Sequence, residues 1–335
     1  MAEAVRHSAF LMKPEAAMTI YFAPLEGLTD AVYRRVHASC FSGVEKYFIP
    51  FVSPTSNLAF NAREMRAVSP ESNDGINAVP QLLTRDAEHF LWAAQALADM
   101  GYREVNLNLG CPSGTVTAKG KGSGFLRDPD GLRTFLDAVY AKSPIPVSIK
   151  TRIGYESPDE WPVLLDIFAA YPVHETIIHP RTRVQMYKGT PYAECYDAAI
   201  GRVIQPVYNG DLFTAADCRA LMERQPSTTA LMLGRGLIAN PALAQELHGG
   251  ESLTHDMIRR FHDELYRAYS YRYPKNVVLG RMREAMKYIS CCFDNAAKAR
   301  KAMRKAQYLD GYLDAAGRLM ALPLKERPGF DPEEV

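Results

Sequence analysis

Short apolar runs recur at near-regular intervals along the first three quarters of the chain, each closed by turn residues and followed by a stretch with helical spacing. The runs begin at Thr19 (TIYFA), Lys46 (KYFIPF), Ile76 (INAVPQLL), Glu104 (EVNLNL), Val147 (VSIK), Thr176 (TIIH), Pro206 (PVYN) and Ala230 (ALML). Between them, 87–100, 131–141 and 160–171 read as helices with one apolar face. Eight strand-plus-helix units predict an α/β fold, a (β/α)8 TIM barrel rather than a doubly wound sheet. From 253 the alternation stops. Segments 253–271, 280–293, 295–308 and 311–319 read as amphipathic helices with no strand-like run between them. The pattern therefore predicts a barrel over 18–250 and a C-terminal all-helical domain over 251–335. Residues 1–17 read as a disordered or loosely packed extension, and the proline-bearing acidic tail from Pro323 as loose.

Polar residues close each run. In chain order the ends carry Pro24-Leu25-Glu26, Ser53, Gln81, Asn108 with Cys111, Lys150 with Arg152, His179 with Arg181, Asn209-Gly210-Asp211, and Gly234-Arg235. In a barrel those positions share the carboxyl rim, where the loops converge on one ligand. The most informative run is Val105-Asn-Leu-Asn-Leu-Gly-Cys-Pro112: a strand, then a turn at Gly110 and Pro112 that presents Cys111 beside Asn108. A thiol at such a turn is either an exposed reactive group or a buried free cysteine, and the stretch alone leaves both open.

Composition narrows the class. Six scattered cysteines form no CxxC pair and no His/Cys metal spacing, which fits a reducing cytoplasm and no metal centre. No apolar run is long enough to span a membrane. The net charge of +1 hides an asymmetry: 256–327 holds 16 Lys and Arg against 8 Asp and Glu, so this end carries +8 and the remainder −7. A basic helical end on a near-neutral protein points to a bound polyanion.

At the rim, the glycine turns around Gly210 and Gly234 expose backbone N–H groups in the loops where barrel enzymes hold phosphate, and Arg235 adds a forked donor. Gly120-Lys-Gly-Ser-Gly124 lacks the spacing of a nucleotide loop and reads as a mobile glycine-rich segment after Cys111. Lys150 suits a ligand whose ring takes on negative charge, Gln81 a heterocycle's edge, and His179 a donor to the same ligand.

Together these residues resemble the tRNA-dihydrouridine synthases, flavin enzymes that reduce selected uridines in tRNA. The resemblance rests on Ala23-Pro-Leu-Glu-Gly-Leu-Thr-Asp30, Pro80-Gln-Leu82, Asn106-Leu-Asn-Leu-Gly-Cys-Pro-Ser113, Ser148-Ile-Lys-Thr-Arg152, His179-Pro-Arg-Thr182, Tyr208-Asn-Gly-Asp211 and Leu233-Gly-Arg-Gly236. Leu25 stands where the family more often has Met, and Pro180 where it has Gly, which removes an N–H and stiffens that loop.

The resemblance implies FMN on the rim, with NADPH or NADH as electron donor. Pro24, Leu25 and Glu26 would pass under the flavin ring, with Gln81 and Lys150 on its polar edge. His179, Asn209, Gly210, Asp211, Gly234 and Arg235 would hold the ribityl phosphate end. Lys150 would stabilise the anionic reduced flavin. Hydride would reach C6 of uracil, Cys111 would protonate C5, and Asn108 would orient the base. The basic end would hold tRNA, with Arg281, Arg283 and Lys287 singled out. A monomer is expected. Two rivals are an FMN barrel oxidoreductase on a free small molecule, like dihydroorotate dehydrogenase, and an RNA-binding barrel without chemistry. The basic end weighs against the first, and intact Cys111, Lys150 and Gln81 against the second.

Overall fold

A computed structural model describes residues 18–335, so the expected 1–17 extension lies outside the described residues. Eight strands run in parallel: β1 Thr19–Phe22, β2 Lys46–Phe48, β3 split as Ala78–Val79 and Gln81–Leu82, β4 Val105–Leu109, β5 Val147–Gly154, β6 Thr176–Thr182, β7 Pro206–Tyr208 and β8 Ala230–Leu233. Pro80 lacks an N–H and interrupts β3. The first half pairs with β2 and the second with β4. β1 pairs with both β2 and β8, so the sheet closes on itself as a barrel.

Helices α1 Ala31–Cys40, α2 Ala62–Val68, α3 Ala87–Asp99, α4 Pro129–Lys142, α5 Trp161–Ala169, α6 Ala193–Asp197, α7 Ala215–Arg224 and α8 Arg235–Ala239 follow the strands in turn. Their starts are encoded locally. Asp30, Asp86, Asp128 and Thr214 each accept a first-turn N–H through the side chain.

Covered by helices outside and by side chains inside, β4 and β6 are buried at every residue. The strand period of two then decides which side chains enter the barrel. Tyr21, Ala23, Phe48, Val79, Ile177, Val207, Ala230 and Met232 form a separate apolar cluster inside it. Gln81, Asn106, Asn108 and Ser148 form a hydrogen-bonded polar seam on the β3–β5 side. In the same phase Lys150, His179 and Asn209 follow Ser148, Ile177 and Val207 at the carboxyl rim.

The helical end comprises α9 His255–Arg272, α10 Lys275–Ile289, α11 Ala297–Lys305 and α12 Leu309–Leu319. Helix α10 begins five residues before the expected 280, because Pro274 is extended and launches the helix at Lys275. Helix α9 packs on α1 and α10 on α8, which ties this end to the barrel. Among the described residues, no helix is long and apolar enough to cross a membrane.

The tail is docked where the sequence suggests looseness. Leu324 bridges Phe293, and Lys325 N donates to Cys292 O at 2.8 Å. Phe330 is buried with Ala239 and Cys291, flanked by Phe213 and Tyr288. A Cβ on Gly329 would lie 2.6 Å from Phe213 O, so glycine permits the backbone to lie on that loop. Glu334 pairs with Lys325 at 2.8 Å and with Arg300. The prolines here stiffen a docked chain rather than mark a free one. Phe330→Ala is expected to lower unfolding stability by about 3 kcal/mol, the low end for a buried phenylalanine. Urea unfolding of the two proteins checks this; an unchanged midpoint would mean the tail adds no packing.

Candidate functional site at the barrel rim

The turn after β4 is held from several sides. Asn108 Oδ1 accepts the N–H of Gly110 at 3.0 Å and of Cys111 at 2.9 Å. Cys111 O accepts from Ser123 N at 3.1 Å and Ser123 Oγ at 2.8 Å. Gly122, at φ +57°, lets that segment approach: a Cβ there would sit 2.8 Å from Cys111 O. Arg152 Nε donates to Gly110 O at 3.0 Å, and Arg183 Nε to Pro112 O at 3.2 Å. The glycine-rich stretch expected to be mobile is therefore a brace: 122–127 forms a buried 3₁₀ turn against the cysteine. Burial raises the Cys111 thiol pKa, partly offset by the Ser113 backbone and Arg152, so the thiol stays protonated at neutral pH.

Lys150 Nζ donates to Asn209 Oδ1 at 2.7 Å, and Asn209 Nδ2 donates to Met232 O at 2.8 Å. Asn209 thus fixes the ammonium. Burial and neighbouring Arg152 pull the Lys150 pKa down to about 7. His179 Nε2 lies 3.3 Å from Arg181 Nη1. A guanidinium only donates, so Nε2 accepts and the ring proton sits on Nδ1. Burial, then Arg152, Lys150, Arg181 and Arg235, hold the His179 pKa far below its ordinary value, so the ring is neutral.

Asp211 joins two of these cations. It takes a forked pair from Arg181 and accepts Arg235 Nη2 at 3.0 Å. Its φ of +42° is left-handed, a conformation costing on the order of 1 kcal/mol that the arginines offset. Arg235 also lies over the rings of Tyr187, Phe213 and Phe330, at 4.8, 5.1 and 5.0 Å.

Two cavities meet here. One, about 280 Å³, is walled in part by Glu26, Gln81, Asn108 and Cys111. The other, about 320 Å³, is walled by Asn209, Gly210, Asp211, Gly234, Arg235 and Lys287, among others. Pro24, Leu25, Lys150, His179 and Tyr187 line both, so the two cavities are neighbours on one rim. Four cationic side chains surround His179, whereas the acidic wall residues are Asp211, shared by two arginines, and Glu26, paired with Arg63. An apolar floor, a central lysine that is about half-protonated at neutral pH and an excess of arginine at one end form the donor set for a planar ring bearing a phosphate. FMN fits that description.

Each expected catalytic or cofactor residue reaches this space, but several side chains are committed within the protein. Gln81 donates to Asn106 and accepts from Asn108, which leaves one amide N–H uncommitted. Asn108 supports the Cys111 turn, Asn209 supports Lys150, and Asp211 supports the arginines. The three cations picked from the helical end diverge. Lys287 lines the cavity. Arg281 donates to Gly27 O and lies 3.6 Å from Asp30, fastening α10 to the β1 loop. Arg283 donates to Ala306 O at 3.2 Å.

The sequence pattern gives no notice of Tyr187, half exposed in an aperiodic loop, or of Phe330 in the tail. Arg152 and Arg181 stand out there only as strand-end polar groups, yet both are about 1% exposed and buttress the site.

The family model described as Dihydrouridine synthase (Dus) matches residues 21–315. A probable tRNA-dihydrouridine synthase of Rhodobacter capsulatus is 30% identical over 224 residues, 66% of this chain and 68% of that protein. One from Staphylococcus epidermidis is 31% identical over 226 residues, covering 65% and 68%. The tRNA-dihydrouridine synthase B of Pasteurella multocida is 27% identical over 226 residues, covering 67% of each. Among solved structures, morphinone reductase superposes with a TM-score of 0.49 at 12% identity over 73% of this chain and 88% of that one, too slight a likeness to assign anything.

In protein free of cofactor, Lys150 is expected to lose its proton with a midpoint near 7, against an ordinary 10.5. Arg152 repels the ammonium, so Arg152→Met should move the midpoint upward. Nitrogen-15 lysine NMR across the titration reads both; a wild-type midpoint near 10 would contradict the described electrostatics.

Proposed function

The chain belongs to the dihydrouridine synthase family, and from that premise we propose that it reduces uridines of tRNA to dihydrouridine with FMN as resident cofactor and NADPH or NADH as electron source. The observation that carries this reading is the pair of adjoining rim cavities, with a protonated Cys111 thiol on one, Arg235 on the other, and Lys150 and neutral His179 lining both. When bound, FMN supplies the hydride that adds to C6 of uracil. Pro24 and Leu25 form the apolar wall for the flavin ring, and the uncommitted N–H of Gln81 is available to its polar edge. Lys150, held by Asn209, places positive charge beside that ring. His179 donates through Nδ1, and Arg235 is available to phosphate at the far end.

Cys111 holds the proton for C5. Its raised pKa keeps the thiol in the acid form, and the four-sided brace of its turn keeps the sulfur beside the cavity. The turn takes both lone pairs of Asn108 Oδ1 and Gln81 takes one of its N–H groups, so Asn108 places Cys111 and keeps one amide N–H with which to orient the base.

A uridine in folded tRNA must leave its stack to reach this rim, at a cost of a few kcal/mol. Backbone contacts offset that cost, and α11 supplies an open basic face: Lys298, Lys301, Arg304 and Lys305 are all exposed. Arg283 and Lys287 border the same groove between α10 and α11.

Cys111→Ala should retain bound FMN, seen in its visible absorbance, while dihydrouridine formation measured by mass spectrometry of tRNA falls at least about a hundredfold. Undiminished turnover would remove Cys111 as the acid. Lys301→Glu with Arg304→Glu should weaken tRNA binding and flatten its salt dependence by roughly 1 for each phosphate no longer neutralised. An unchanged slope would place the RNA on another face.

A further inference from the structure

Inside the barrel a file of side-chain hydrogen bonds leads from its amino end to the Cys111 turn. Ser148 Oγ donates to Glu104 Oε1 at 2.6 Å, and Asn106 Nδ2 donates to Ser148 Oγ at 2.9 Å. Gln81 Nε2 donates to Asn106 Oδ1 at 2.8 Å, and Asn108 Nδ2 to Gln81 Oε1 at 2.7 Å. Asn108 Oδ1 then accepts the N–H groups of Gly110 and Cys111. No member is more than 8% exposed.

The file has a single possible direction. An amide can turn over and exchange donor for acceptor, and a hydroxyl can rotate. Neither end allows it here. A carboxylate accepts, so Ser148 must give its proton to Glu104 and receive Asn106. Backbone N–H groups donate, so Asn108 must face the turn with its oxygen. Links aligned in one sense polarise one another and strengthen in a low-dielectric interior. At the amino end, the other oxygen of Glu104 accepts Lys46 Nζ at 2.6 Å, and Lys46 also meets Glu175 at 2.9 Å. Tyr21 donates to Glu175 at 2.6 Å on a branch that does not lead to the rim.

We propose that Glu104 is a positioning residue for Cys111: through Ser148, Asn106, Gln81 and Asn108 it sets the turn that aims the thiol into the cavity. Its catalytic consequence rests on Cys111 as the proton donor; the placement of the thiol does not. A buried polar seam that serves stability alone would couple to unfolding and leave the sulfur's reactivity untouched. The file predicts the reverse pattern.

The test uses FMN-loaded full chain and four variants: Glu104→Gln, Ser148→Ala, the pair together, and Tyr21→Phe. Alkylation of Cys111 by iodoacetamide is followed by peptide-resolved mass spectrometry, alongside kcat and KM for tRNA. Glu104→Gln and Ser148→Ala should each raise Cys111 alkylation by at least about threefold. Each should lower kcat by roughly tenfold at an unchanged KM. Both act at the Glu104–Ser148 link, because glutamine has one oxygen to divide between Lys46 and Ser148 and alanine removes the hydroxyl, so the double variant should be no worse than either alone. Tyr21→Phe should lower the unfolding temperature and leave alkylation at the wild-type rate. Unchanged alkylation in the single variants, or a double effect equal to their product, would overturn the proposal. If the buried glutamine prevents folding, Ser148→Ala cuts the same link without touching the charge. Altered alkylation with full kcat would uphold the positioning role and remove Cys111 as the acid instead.

Discussion

Positive charge gathered around one neutral imidazole governs the architecture of this rim. Lys150, Arg152, Arg181 and Arg235 each lower the pKa of His179, and Asp211 offsets only part of their repulsion. Concentrating cations in a largely buried site is unfavourable unless carbonyls, a carboxylate or an anionic ligand answer them. The protein answers some itself: Thr182 O, Gly110 O and Lys188 O take arginine N–H groups, and Asp211 accepts a left-handed backbone to reach two guanidinium groups. The remainder is the charge that the proposed phosphate-bearing cofactor would answer.

The barrel supports this in two materials. On one side its interior is aliphatic and aromatic, which packs without any demand on direction. On the β3–β5 side it is amide and hydroxyl, and those groups carry orientation upward from Glu104 to the turn at Cys111. The ligand end therefore depends on charge, and the thiol end on hydrogen-bond geometry. Lys150 stands where they meet, within reach of Asn209 and raised in energy by Arg152. The helical end and its tail cover the Arg235 side: Phe330 packs on Phe213 and Arg235 while Glu334 ties the tail to Lys325 and Arg300.

Strands and rim positions follow from period-two patterning and from turns such as Gly110 to Pro112, because those signals are local. The residues that share a cavity follow from the same regularity, since strand ends in a barrel converge. Side-chain destinations do not. Asn209 and Asp211 sit at the rim as expected, yet their carboxamide and carboxylate face Lys150 and the arginines of nearby strand ends, contacts at long sequence separation that no local pattern encodes. Arg281 is a cation in a basic helix, and the backbone of Gly27, far back in the chain, claims it. Tyr187 and Phe330 lie in segments without periodicity, so tertiary contact alone distinguishes them from surface residues. Composition marked the tail as loose because prolines and acids usually do; Gly329 and Glu334 reverse that through one close approach and two ion pairs.

The most direct test of the charge argument compares FMN with riboflavin, which is the same ring and ribityl chain without the phosphate. Fluorescence quenching of each by the purified, cofactor-free protein gives the two affinities. Arginine held for a phosphate predicts FMN binding tighter by more than about a hundredfold, the worth of two charge-assisted hydrogen bonds. Equal affinities would contradict it and leave the gathered cations without a ligand to explain them.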